Sequence, residues 1–221
     1  MTAAARPLRR LAESRPGSAT LMASPPMRNE FSALVVSTRA RLSTLWRWTA
    51  LLWLIEIVDF GLGGALDSFG VVPRSLSGLW GILFAPLLHG GFGHLLGNTL
   101  VGVPLGFLAM ARRRMDFYVV GTISAITAGL GAWLFGGAGS VHIGASGVIF
   151  GFLGFLMARG FYDRRVGAVL LSLFVTFTFG GMVWGVLPLL TPGVSWQSHL
   201  FGFLGGVFAA SSLASGAKNP R

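Results

Sequence analysis

The chain has 221 residues, 53% of them hydrophobic and 11% charged, with no cysteine and a formal net charge of +10. This composition, with a mean hydropathy of +0.70, excludes an ordinary soluble domain and places the chain among membrane proteins. The missing cysteines exclude disulfides, thiolate catalysis and iron–sulfur clusters. The basic residues lie between apolar stretches rather than along one surface, so they form a topology signal and no nucleic-acid partner is expected.

Residues 1–44 are rich in Ala, Pro, Ser and Arg and contain no sustained apolar run. They are expected to form a basic, disordered cytoplasmic tail. Arg9-Arg10 resembles a twin-arginine signal but lacks the apolar region that should follow it, and an Arg-rich, acid-poor leader also suits a mitochondrial transit peptide. Six apolar segments follow, at 48–66, 92–111, 118–135, 146–158, 166–190 and 196–214. They predict an all-α, polytopic bundle of six transmembrane helices over 45–215, with a short cytoplasmic tail at 216–221. Sixteen of the 17 Lys and Arg residues fall on one side of these spans, and only Arg74 falls on the other. That asymmetry puts both termini inside, and an even number of spans agrees. Trp46, Trp48 and Trp196 stand at span ends as interfacial anchors. No internal repeat is visible, which argues against an inverted-repeat transporter.

The fourth segment is short. A helix from Ser146 to Arg159 covers roughly 20 Å, against about 30 Å of bilayer hydrocarbon. If Arg159 marks one face, Ser146 is stranded below the other, and a polar residue at that depth calls for a function. Two further polar clusters lie at matching depth. His94 and Asn98 share one face of the second segment, with His89 at its entry, and His199, Gly202 and Gly206 share one face of the sixth. Acyl transfer needs a nucleophile, a base within reach and donors for the oxyanion. Ser146 can supply the first and His199 the second, while His94 and Asn98 are uncharged donors. Gly147, Gly151 and Gly154 would let the fourth and sixth helices approach closely. His142 is an alternative base, although Gly144 interrupts any helical register to Ser146. The histidines lack an H-E-x-x-H pattern or a carboxylate at ligand spacing, so no metal is expected. Glu56 and Asp59, inside the first segment, fit either a proton relay or a structural pair bracing the first loop.

Together these residues resemble the rhomboid intramembrane serine proteases: His89, His94 and Asn98 as H-x4-H-x3-N, Gly144, Ser146 and Gly147 as G-x-S-G, and His199, Gly202 and Gly206 as H-x2-G-x3-G. The resemblance covers about 45–215. It implies a six-helix core, no cofactor, and cleavage of transmembrane protein substrates near the outer face of a bacterial inner membrane. It further implies that Ser146 is the nucleophile, His199 the general base, and His94 and Asn98 the oxyanion hole, and that Phe150 packs on His199; His89, at the entry to the second segment, fits either oxyanion support or loop anchoring. Membrane lipids are the other expected partners, and the oligomeric state is left open. Two features depart from many rhomboids. Trp80 is followed by Gly81 instead of arginine, and no acidic residue follows the glycine of the second helix in "GFLAMARRR". The alternative is a non-proteolytic rhomboid-like protein, either a substrate-binding pseudoprotease or a small proton-coupled transporter using Glu56, Asp59 and the histidines.

Overall fold

A computed structural model of the chain describes residues 27–187 and 193–216. Of the expected tails at 1–44 and 216–221, residues 1–26 and 217–221 lie outside the described residues. The chain divides into two units between Val36 and Ser37, and the site lies within the second.

The helices are α1 (Met27–Gly61), α2 (Gly81–Phe84), α3 (Phe92–Ala109), α4 (Arg114–Phe135), α5 (Ser146–Asp163), α6 (Val166–Phe179) and α7 (Trp196–Gly216). The fold is an all-α, polytopic membrane bundle. All but the short α2 correspond to the six apolar segments. Phe92–Ala109, Arg114–Phe135 and Val166–Val186 are long and apolar enough to cross a membrane by length and composition alone. Outward-facing Leu100, Leu134, Leu173 and Phe177 are exposed, as lipid-facing side chains must be. α5 is the central helix: Ile149 to Leu156 are all buried, and α3, α4, α6 and α7 pack around it.

Helix α1 begins at Met27, not near residue 48, so residues 27–44, expected to be disordered, are helical. The physical reason is legible: Pro25-Pro26 ends the last breaker run, and no Gly or Pro follows before Gly61. α1 is tied to α3 by Trp53, whose Nε1 donates to Thr99 Oγ1 at 3.1 Å.

The expectation that Arg159 marks a membrane face is corrected. Arg159 is only 8% exposed and pairs with Asp116 of α4 at 3.8 Å and Asp163 at 3.6 Å. The helix continues past it, and the exposed basic pair is Arg164-Arg165. A buried guanidinium requires such partners, because desolvation without them is costly. The pair still levels the two helices. From it, α4 runs on to Phe135, about 28 Å, whereas α5 runs back to Ser146 over only about 20 Å. The serine is therefore recessed by roughly 9 Å relative to the end of α4.

The long loop between α1 and α3 is fastened at several points. Asp59 Oδ1 accepts the Leu66 N–H at 2.7 Å. Arg74 Nη1 donates to the Gly136 carbonyl at 2.9 Å, and Trp133 Nε1 to the Ser75 carbonyl at 2.8 Å. Val71 and His142 form an isolated antiparallel bridge. The glycine at 81, where many rhomboids have arginine, has a packing cause: a Cβ there would fall on the backbone of Gly70 and Val71.

Candidate active site

The turn that presents Ser146 is built on glycine. Gly144 has φ +116°, and a Cβ there would lie 2.7 Å from His94 Cε1 and 3.6 Å from Asn98 Nδ2. Only glycine lets this backbone press against the polar face of α3. The next N–H, of Ala145, donates to His89 Nε2 at 3.4 Å. His89 is 1% exposed and meets His94 edge-on, with ring centroids 5.2 Å apart. Burial first, then the neighbouring His94, pushes His89 down to about 4. The ring is therefore neutral at pH 7 and free to accept a hydrogen bond. His89 supports the nucleophile turn and does not line the cavity above Ser146.

Helix α7 delivers His199 through close contact with α5. A Cβ on Gly202 would fall on the carbonyl oxygen of Gly147, and one on Gly206 on that of Gly151. The two backbones therefore touch, which places His199 over the first turn of α5. His199 Nδ1 lies 2.9 Å from the Gly185 carbonyl oxygen. A carbonyl only accepts, so Nδ1 carries the proton and Nε2 holds the lone pair. That nitrogen faces Ser146 Oγ at 2.9 Å, so the hydroxyl donates to it. Phe150, one turn after the serine, stacks on the imidazole with centroids 4.0 Å apart and planes 11° from parallel.

His94 and Asn98 line the same cavity of about 330 Å³ as Ser146, Phe150, Met182 and His199. Asn98 Nδ2 is buried and has no hydrogen-bond partner among the described residues. An unspent buried donor is costly; here it lies on the wall beside the serine. His142 is not on this cavity. Its ring nitrogens lie 2.7 Å from Ser195 Oγ and 2.9 Å from Ser140 Oγ. Glu56 and Asp59 are buried in α1, with Asp59 engaged on the loop. The orienting carbonyl of Gly185 was not foreseen. A backbone oxygen leaves no sequence signal, and the only hint is the glycine, whose Cβ would lie 2.9 Å from Phe150 Cζ.

A family model described as the Rhomboid domain matches residues 76–215. An uncharacterized protein of Mycobacterium tuberculosis is 41% identical over 186 residues, covering 81% of this chain and 78% of the relative. YdcA of Bacillus subtilis, which bears a rhomboid protease name, is 30% identical over 179 residues, 78% of this chain and 81% of the relative. Rhomboid protease GluP of the same organism is 31% identical over 161 residues, 67% of this chain but 29% of that longer protein. The chain belongs to the rhomboid family of intramembrane proteases.

Proposed function

We propose that the protein is an intramembrane serine endopeptidase that cuts transmembrane proteins near the outer membrane face through a Ser146–His199 dyad. The observation that carries this reading is the tautomer: Gly185 holds the Nδ1 proton, which leaves Nε2 as a base 2.9 Å from the Ser146 hydroxyl. In the reaction, Ser146 Oγ attacks the scissile carbonyl carbon as its proton passes to His199 Nε2. The imidazolium then returns that proton to the leaving amine, and water hydrolyses the acyl-enzyme by the reverse assignment. No carboxylate takes part.

The oxyanion is assigned to Asn98 Nδ2, His94 and the backbone N–H of Ser146. Asn98 suits the task because its donor is unspent in the resting site and gains a partner only as charge develops. His89 is assigned to holding the nucleophile turn. The recess of Ser146 fits a substrate helix that unwinds to offer a peptide bond below the surface. Residues 45–215 form the protease domain in this reading, both termini are cytoplasmic, and the membrane is the bacterial inner membrane. Partners are transmembrane substrates and lipids, without nucleic acid. Labelling of the purified protein by a fluorophosphonate probe tests the reading. Wild type should label and Ser146→Ala should not; equal labelling of both would refute it.

A further inference from the structure

His142 touches neither the nucleophile nor the cavity above it, yet both of its nitrogens are engaged. Its backbone pairs with Val71 in both directions at 2.9 Å, and Val71 is 1% exposed. A Cβ added at Gly136 would lie 2.5 Å from His142 Nε2, so the ring is enclosed on that side. Ser140 gives its hydroxyl proton to the Gly137 carbonyl at 2.7 Å and so accepts from the Nε2–H of His142. This end of the imidazole is fixed to the loop preceding Ser146.

The other end holds helix α7. His142 Nδ1, left with the lone pair, lies 2.7 Å from Ser195 Oγ and accepts its proton in competition with Ser198 Oγ, which is 2.9 Å from the same hydroxyl. Ser195 directly precedes α7, and its Oγ accepts the Ser198 N–H at 3.3 Å, the bond of an N-cap. Its carbonyl accepts the backbone N–H of His199 at 3.2 Å. Ser195 is thus bonded to the first turn of the helix through both side chain and main chain, and it also lines the cavity above Ser146. We propose that His142 is a positioning residue for the catalytic histidine. By clamping the Ser195 cap to the loop that presents Ser146, it sets the register between the two halves of the dyad. The inference rests on the dyad reading. Burial holds the His142 ring below the ordinary histidine range, so at neutral pH the clamp acts by hydrogen bonds and not by charge.

The two alternatives for this residue make different predictions. A general base at His142 would need a nitrogen facing Ser146, whereas its nitrogens face Ser195 and Ser140. A purely structural histidine would change how much protein folds, not how fast each folded site reacts. The test is the rate and final extent of fluorophosphonate labelling of the purified full chain. In that reaction Ser146 Oγ bonds phosphorus, fluoride leaves, and His199 takes the hydroxyl proton. His142→Phe keeps an aromatic ring, slightly larger than imidazole, and removes both hydrogen bonds. Ser195→Ala removes the cap from the other side.

Each variant should lower the labelling rate about tenfold, the order expected from loosening one helix cap, while the final extent stays at the wild-type level. The double variant should be about as slow as the slower single one, because both changes break the same His142–Ser195 contact. His142→Asn, which keeps a polar group near Nδ1, should recover part of the rate. A wild-type rate in both single variants overturns the inference and leaves the dyad standing. A reduced extent with an unchanged rate also overturns it, because it marks a structural role. Labelling of Ser146→Ala at the wild-type level removes the dyad reading itself.

Discussion

A serine hydroxyl becomes a useful nucleophile only when a neutral ring nitrogen can take its proton, and the nitrogen must be held in the correct tautomer. At His199 a main-chain carbonyl does this holding, while Phe150 fixes the plane of the ring. Asn98→Ala should then lower turnover about 100- to 1,000-fold with little change in KM, because its hydrogen bond strengthens only in the transition state. Steady-state kinetics on a transmembrane substrate would show the split; a raised KM with unaltered kcat would make Asn98 a substrate contact. His89 gives a pH prediction. Its folded value of about 4 lies below the ordinary 6.5, so the unfolded chain binds the extra proton. The stability from a neutral His89 is complete above about pH 6.5 and is lost as pH falls towards 4, up to about 3 kcal/mol. Denaturation of the detergent-solubilised protein should show that loss, and His89→Gln should flatten it. Ser146, His199 and Asn98 could be singled out in the sequence because side chains carry their chemistry, and the structure brings all three to one cavity. Gly185 could not, since its contribution is a carbonyl that every residue possesses. His89 stayed divided between two roles until its partner, the Ala145 N–H, was known.

The contact between α5 and α7 is the element on which the site depends, and it is made of absent side chains. Gly206→Ala would drive a methyl onto the Gly151 carbonyl and the Phe155 backbone. It should destabilise the protein by about 1–3 kcal/mol, as overpacked sites do, and reduce activity by displacing His199. Gly167→Ala in α6 meets nothing within 4 Å and should be neutral or slightly stabilising. Thermal melts of the two variants make the comparison, and equal effects would contradict the packing assignment. These glycines were readable because their spacing matched one helix face. Element ends were less so. α1 starts well before its apolar segment, because helix propensity continues through polar residues that hydropathy ignores. α5 passes through Arg159, because Asp116 and Asp163 neutralise a charge that looks like a terminus when only its own segment is read.

At the scale of the whole molecule, the bundle sets a depth, and the proposed function depends on that depth. From the buried Asp116–Arg159 pair, α5 stops about 9 Å sooner than α4, so the nucleophile opens below the surface on one side only. In the proposed topology, with both termini cytoplasmic, that side is the outer one. Reporter fusions after Arg114 and after Gly139 should therefore report opposite compartments; the same compartment for both would contradict the six-span arrangement. The central claim, that Ser146 and His199 work as one unit on a transmembrane substrate, is tested most directly by the cleavage rates of Ser146→Ala, His199→Ala and the double variant. Each single change should abolish cleavage, and the double variant should be no worse, since neither half of the dyad works alone. Substantial residual cleavage by His199→Ala would mean that another group takes the serine proton, and would contradict the account.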